Sequence, residues 1–297
     1  MEFKQKFIER YEKLTDISEF KKYCLMDLRK SIRVNTLKTS VDELRKRLDL
    51  DLEPIPWIKE GFYVNSRVTL GNLNEHFLGH FYVQEAASML PPLVMDIKDK
   101  MIDMSAAPGS KAGQIAALMK NRGLLIANDN DYKRLKALSM NLQRLGVTNT
   151  VITLMNGIWI KENFDSILLD APCSGTGAIR KSLGTLKIYN TGMIRKLAND
   201  QRRLIDNAFR ILNEGGSLVY STCSLEPEED EGVIDFLLNK YENAKVEKVK
   251  FNGLKSEGIV LDFEGRKYNS EIKNCVRVWP QDNNTEGFFV AKIRKIK

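Results

Sequence analysis

FDSILLDAPCSGTGAIR, residues 164–180, decides the fold. The run Ile167-Leu168-Leu169 has no polar alternation, so it reads as a short strand buried on both faces. It ends in Asp170-Ala171-Pro172-Cys173, followed by Ser174-Gly175-Thr176-Gly177. An acid, a proline that fixes the backbone and removes a donor, and a thiol therefore sit together where the strand stops. In open parallel α/β sheets, ligands bind beyond the carboxyl ends of the strands. The pattern recurs further on, where Ser217-Leu218-Val219-Tyr220 precedes Ser221-Thr222-Cys223-Ser224. Two of the chain's four cysteines each cap a core strand, and if those strands are neighbours the two thiols share one cleft.

Outward from this stretch, strands and helices alternate. Strands are expected at Ile102–Met104, Leu124–Ala127, Thr150–Leu154, Ser166–Leu169 and Ser217–Tyr220, with late strands at Cys275–Trp279 and Gly287–Ile293. Helices are expected at Gly109–Lys120, Tyr132–Leu145, Met193–Leu212 and Glu228–Asn239, the last with an acidic start that suits the helix dipole. This order argues an α/β class with a doubly wound parallel sheet. Residues 251–274 read as a loop excursion.

The N-terminal part has a different texture. Helices are expected over 2–14 and 17–25, with Phe3, Phe7, Ile8 and Tyr11 at helical spacing and Asp16 or Ser18 as a cap. Ser31–Thr36 alternates like a half-buried strand, Ser40 with Glu43 forms a capping box, and Phe62-Tyr63-Val64 suggests another strand. These elements imply a small α+β domain over 1–80, ahead of a larger domain over 81–297. Arg29, Lys30, Arg33 and Lys38 lie near its first strand, so a basic face for RNA phosphates is the expectation beside plain solubility.

Composition narrows the setting. The 297 residues carry net charge +7, and residues 1–50 hold 13 Lys/Arg against 9 Asp/Glu. No apolar run reaches the ~18 residues of a membrane span, and the first residues lack a signal-peptide core. Four scattered cysteines and two histidines suit neither a disulfide framework nor a zinc site, so a reduced, cytoplasmic, metal-free monomer is expected.

Three turns carry ligand chemistry. The first core strand runs into Ser105-Ala106-Ala107-Pro108-Gly109-Ser110-Lys111, small residues that let backbone approach a ligand. It has neither the GxxxxGK[ST] of a phosphate loop nor the GxGxxG of a dinucleotide fold. The second strand ends at Asp129, placed to accept both hydroxyls of a ribose. The third ends at Met155-Asn156-Gly157, where an amide can read an adenine edge or simply make a turn. Together these suggest an adenosine ligand without a pyrophosphate, which fits S-adenosylmethionine.

SAAPGSK, the AND of 127–129 with Arg134, LLDAPCSGTG, YSTCSLEPEEDE and GFFVAKI resemble, in order, the motifs of the Sun-type RNA cytosine methyltransferases, the family of bacterial RsmB and RsmF. Weaker agreement extends to Arg33–Leu37 and Tyr82–Glu85, so the resemblance covers residues 30–297. It implies a Rossmann-like class I methyltransferase domain, an RNA-recognition-like N-terminal domain, S-adenosylmethionine as donor and 5-methylcytosine in RNA as product. Within the family, a tRNA-directed, archaeal-type member is expected, with rRNA as the alternative. By resemblance Cys223 is the nucleophile, Cys173 assists release, and Asp170 and Lys111 serve the site. The chemistry needs a thiolate to add to carbon 6 before carbon 5 can accept a methyl group. The residues alone leave the two cysteines interchangeable. Ser105 stands where many members have cysteine, Asn156 where most have aspartate, and Ala112 where threonine is frequent. Two other readings remain: a silent RNA-binding factor on the same fold, and transfer to an adenine amine. Asp170-Ala171-Pro172-Cys173 lacks the aromatic that the amine chemistry usually employs.

Overall fold

The computed structural model describes residues 3–297. Two short helices, α1 (Gln5–Tyr11) and α2 (Ile17–Leu25), come first. The expected 2–14 helix is thus confined to 5–11, and its residue 2 lies outside the described residues. The Asp16 side chain caps α2 by accepting from the Ser18 and Glu19 N–H groups.

A four-stranded antiparallel sheet follows, in the order β2-β3-β1-β4, built from β1 (Ser31–Val34), β2 (Leu52–Ile55), β3 (Ile58–Val64) and β4 (Phe81–Val83). Helix α3 (Val41–Arg47) begins with the expected capping box, and α4 (Asn74–Phe77) precedes β4. Pro54 sits in β2, an edge strand, where a missing N–H costs no internal ladder bond. Ile32, Val34, Leu44, Phe62, Val64 and Phe81 form this unit's core.

Three N-terminal expectations change. Strand β1 is buried at all four residues, because the side away from the small core faces the larger unit. The junction placed after residue 80 falls just before β4, which pairs with β1 and belongs to the small sheet. Helices α1 and α2 pack away from that sheet: Phe7, Tyr11 and Phe20 join Ile179, Tyr189 and Trp279 in one aromatic cluster.

The larger unit contains a mixed eight-stranded sheet. After α5 (Leu90–Leu93) come β5 (Lys100–Asp103), α6 (Ser110–Leu118), β6 (Leu124–Asp129), α7 (Tyr132–Leu145), β7 (Thr150–Leu154) and β8 (Phe164–Asp170). A short α8 (Gly184–Ile188) leads to the long α9 (Thr191–Arg210), then β9 (Leu212–Thr222), α10 (Glu231–Lys240) and β10 (Ala244–Glu247). A two-residue hairpin, β11 (Asp262–Phe263) with β12 (Arg266–Lys267), interrupts the 251–274 excursion before β13 (Val276–Val278) and β14 (Phe288–Lys295). The order is β10-β14-β9-β8-β5-β6-β7, with β13 paired to β14.

Strands β5 to β9 run parallel, while β14 inserts antiparallel between β9 and β10. The chain moves outward from β5 through β6 to β7, then returns to the other side of β5 with β8 and β9. This reversal sits between β5 and β8, and the crevice at such a switch point is where α/β folds bind ligands. Side chains alternate across the sheet as the pleat requires. Ile167, Leu169, Leu218 and Tyr220 enter the core beneath α9 and α10, whereas Leu168 and Val219 enter the core beneath α6 and α7. Among the described residues no helix is long and apolar enough to cross a membrane.

Candidate active site

The loops after β5, β8 and β9 meet at the switch point. Because β8 and β9 are parallel neighbours with Asp170 beside Ser221, the thiols just beyond them converge. The Sγ atoms of Cys173 and Cys223 lie 3.3 Å apart. Cys223 lines a cavity of about 410 Å³ that also takes in Lys111, Asp170, Lys181, Glu286 and Phe288. Cys173 is not on that wall. Its hydrogen bond to Cys223, then its burial, push its thiol well above the usual range.

Asp170 joins two loops: Oδ2 accepts from Lys111 Nζ at 2.8 Å and Oδ1 accepts from Ser221 Oγ at 2.7 Å. Lys111 is buried in the first turn of α6, aimed across the crevice from β5 to β8. Burial opposes its charge, but Asp170, Cys223 and Asp103 together hold the ammonium above its ordinary range.

The turn 105–111 wraps the cavity, and Ser105, Ala106, Ala107, Pro108, Ser110 and Arg134 line it. Gly109 adopts φ 106°, a conformation that favours glycine, and starts α6. Asp129 is buried beneath this turn: Oδ2 accepts from Ala107 N–H at 3.1 Å and Oδ1 from Asp131 N–H at 3.1 Å. Arg134 reaches Asp129 at 3.4 Å and donates to the Ala107 carbonyl. Asn156 lies on a separate cavity of about 220 Å³, with Asn130, Pro172, Leu197, Asp200 and Arg203. Its side chain accepts from Ile158 N–H at 3.2 Å.

Several residues of the site were not singled out from the sequence. Asp103, at the end of β5, is buried with Oδ2 unpartnered, and burial, then the charge of Asp170, raise its pKa to about 7. Its position repeats the strand-end placement of Asp129 and Asp170, a signal that could have found it. Glu286 lines the same cavity with Oε1 unpartnered, and its N–H donates to Glu85 at 3.1 Å. Buried beside each other, both carboxyls are raised, Glu85 to about 8.

The helix expected from Glu228 starts instead at Glu231, and the acidic residues before it, Glu226, Glu229 and Asp230, go inward. Glu229 accepts from Ser174 N–H at 3.0 Å, Ser224 Oγ at 2.5 Å, Gln201 Nε2 at 3.1 Å and Ser174 Oγ. Ser174 and Ser224 directly follow the two cysteines, so one carboxylate ties both thiol loops together. Gln201 also donates to the Pro172 carbonyl at 2.8 Å. Gly177 closes the assembly: its N–H donates to Cys223 O, and an added Cβ would lie 2.3 Å from Gly287 O.

The basic face expected near β1 is not free. Arg33 is buried, donating to Gln84 at 2.6 Å, Gln114 at 2.9 Å and the Ser110 carbonyl at 2.8 Å. Lys30 donates to the Ser66 and Val68 carbonyls, and Lys38 to those of Leu78 and Arg144. Arg29 pairs with Glu53 and stacks 3.6 Å from the centre of the Tyr63 ring. These cations bind the protein to itself.

The model of the 16S rRNA methyltransferase RsmB/F family matches residues 92–294, and that of the RsmF N-terminal domain matches residues 3–86. The chain belongs to the RsmB/F methyltransferase family. Within it, the chain is 47% identical to the tRNA (cytosine(49)-C(5))-methyltransferase of Pyrococcus abyssi, covering 99% of this chain and 98% of that one. It is 45% identical to the ribosomal RNA small subunit methyltransferase F of Shewanella amazonensis, covering 94% of this chain but 61% of the relative. The chain thus spans about three fifths of the rRNA relative's length. A solved methyltransferase homolog from Pyrococcus horikoshii superposes with TM-score 0.89 at 37% identity, over 99% of this chain and 96% of that one. NSun6 from Pyrococcus horikoshii, solved with SFG, superposes with TM-score 0.83 at 26% identity, over 99% of both chains.

Proposed function

We propose that this protein methylates carbon 5 of cytosine in RNA, most specifically tRNA, using S-adenosylmethionine. The observation that carries the reading is the thiol pair 3.3 Å apart, one member facing a cleft beside the Lys111–Asp170 pair. Two such thiols suit a covalent route and have no evident use in transfer to an adenine amine.

The residues fit the donor. Asp103 offers an unpartnered buried carboxyl oxygen toward a cationic group, the turn 105–111 offers close backbone, and Asp129 with Arg134 sits beneath it. Asn156, on the separate cavity and with its oxygen taken by Ile158 N–H, would meet the adenine end through its amide N–H. When bound, the donor supplies an electrophilic methyl group. Everything else falls to the protein. Cys223 adds as thiolate to carbon 6, placing electron density on carbon 5, and Lys111 favours that thiolate. Asp170, anchored by Lys111 and Ser221, faces the cleft where it can hold the cytosine amine. After transfer a base removes the carbon 5 proton, the ring double bond re-forms, and the bond from carbon 6 to Cys223 breaks. Cys173, kept protonated, donates to the departing sulfur. The target base must leave its stack to reach this depth.

The tRNA assignment is supported by the Pyrococcus abyssi relative, which matches over its whole length, whereas the rRNA relative extends well beyond the match. The division into a small RNA-recognition-like unit over 1–80 and a catalytic unit over 81–297 remains part of the proposal, with β4 at the start of the second stretch pairing into the small sheet.

Unmodified tRNA and small-subunit rRNA transcripts, incubated with donor and sequenced after bisulfite treatment, test substrate and product together. Cys223→Ala should give neither product nor covalent complex, while Cys173→Ala should accumulate a denaturant-resistant protein–RNA band that the double variant loses. Absence of methylcytosine in both RNAs sinks the reading, and trapping by Cys223→Ala reverses the cysteine roles.

A further inference from the structure

Residues 171–199 contain no Asp or Glu but hold Arg180, Lys181, Lys187, Arg195 and Lys196. Twenty-nine residues without an acid are unusual in a chain whose 39 acids otherwise offset its 46 Lys and Arg. This segment starts at the catalytic loop, passes through α8 and ends in the first half of α9. The segment borders both cavities: Lys181 lines the one holding Cys223, while Pro172 and Leu197, near its two ends, line the one holding Asn156.

The charges of the segment divide cleanly. Arg180 is buried and donates to the carbonyls of Thr285 and Asp27 and to Asn284, so it holds the segment in place. Lys181, Lys187, Arg195 and Lys196 are exposed, and none makes an ion pair or side-chain hydrogen bond among the described residues. The contrast is with Arg29, which pairs with Glu53, with buried Arg33, and with Lys30 and Lys38, whose ammonium groups donate to backbone carbonyls. The segment also has a rigid backing. Ile179, Leu186, Tyr189 and Ile194 pack into the aromatic cluster of α1 and α2, and Lys4 donates to the carbonyls of Lys187 and Tyr189.

We propose that this acid-free segment is the track along which the RNA sugar–phosphate backbone lies as the target cytosine enters the cleft. The inference rests on the RNA-methyltransferase reading and deepens it. Unpaired cations on a fixed scaffold at the rim of a deep site suit polyanion contact. No carboxylate within the segment itself competes with a phosphate for these cations. The cations nearest β1 hold the small unit together, so the main phosphate contact falls to the acid-free segment.

The test is the salt dependence of tRNA-transcript binding by the full chain. The combined variant Lys181→Gln, Lys187→Gln, Arg195→Gln and Lys196→Gln is compared with Lys245→Gln, Lys248→Gln, Lys250→Gln and Lys273→Gln. The second set is exposed, lies in and after β10 at the far edge of the sheet, and removes the same charge. Each lost phosphate contact flattens the plot of log affinity against log salt by about 0.9. The first variant should flatten it by up to about 3.6 and the second by much less. Should the fourfold variant fold poorly, Arg195→Gln with Lys196→Gln on the exposed face of α9 should give about half that shift. Equal slopes for the two sets, with wild-type protein still methylating the transcript, overturn the track. Absence of methylation by wild-type protein would instead sink the functional reading beneath it.

Discussion

Replacing Glu229 by Gln should slow methyl turnover by about 10- to 150-fold without unfolding the protein. The carboxylate is the common acceptor for Ser174 N–H, Ser174 Oγ, Ser224 Oγ and Gln201 Nε2. Gln keeps one acceptor oxygen and turns an amino group toward converging donors, so at least one charge-assisted bond is lost. Such a bond contributes about 1.5–3 kcal/mol. At about 1.36 kcal/mol per factor of ten, that range gives the stated slowing if the loss falls on the reacting geometry. It should fall there, because Ser174 and Ser224 are joined to Cys173 and Cys223 by single peptide bonds. The assay is turnover and adduct trapping in Glu229→Gln, Cys173→Ala and the double variant. If Glu229 acts by placing Cys173, adding Glu229→Gln to Cys173→Ala should change release by less than roughly 0.5 kcal/mol. An undiminished effect in both backgrounds, or wild-type turnover in folded Glu229→Gln, refutes the reasoning.

The remaining predictions concern pH, burial and close packing. Asp103 has its pKa raised to about 7, by burial first and Asp170 second, so below that pH it must lose a proton to meet a cationic donor. Donor affinity measured by calorimetry should therefore rise with pH up to about 7 and then level off, and Asp103→Asn should remove the slope. An affinity that climbs on acidification contradicts this. Arg33→Leu should destabilise by about 3 kcal/mol, because three acceptors lose a charged donor at once. The loss appears as a lower unfolding midpoint in urea, and the salt slope of RNA binding should be unaltered. Asp129→Ala should weaken donor binding by about 1.5–3 kcal/mol and also loosen the turn that its Oδ2 braces at Ala107. Unchanged calorimetric affinity would limit Asp129 to a structural role. Gly177→Ala would place a Cβ 2.3 Å from Gly287 O and 2.7 Å from Cys223 O. It should abolish adduct formation, and normal trapping by that variant would show the loop can give way.

The sequence by itself determined the order of strands and helices, because pleat, periodicity and turn chemistry act over a few residues. Tyr132–Leu145 and Thr150–Leu154 fall at their expected bounds, and the two cysteines follow two core strands as read. Pro54, with Pro56 just beyond, concealed β2, since a proline argues against a strand unless the strand lies at an edge, and edges are set by pairing. Only the tertiary structure decided which charges are free. Arg33 and Glu229 look like surface residues in any local window, yet each is buried where loops distant in sequence meet. Burial decides charge use because a desolvated ion must find partners, and those partners come from elements 51 to 81 residues away for Arg33 and up to 55 away for Glu229. The same holds for the thiols. Local sequence put each at a strand end, but the adjacency of β8 and β9 brought them together and left only Cys223 lining the main cleft.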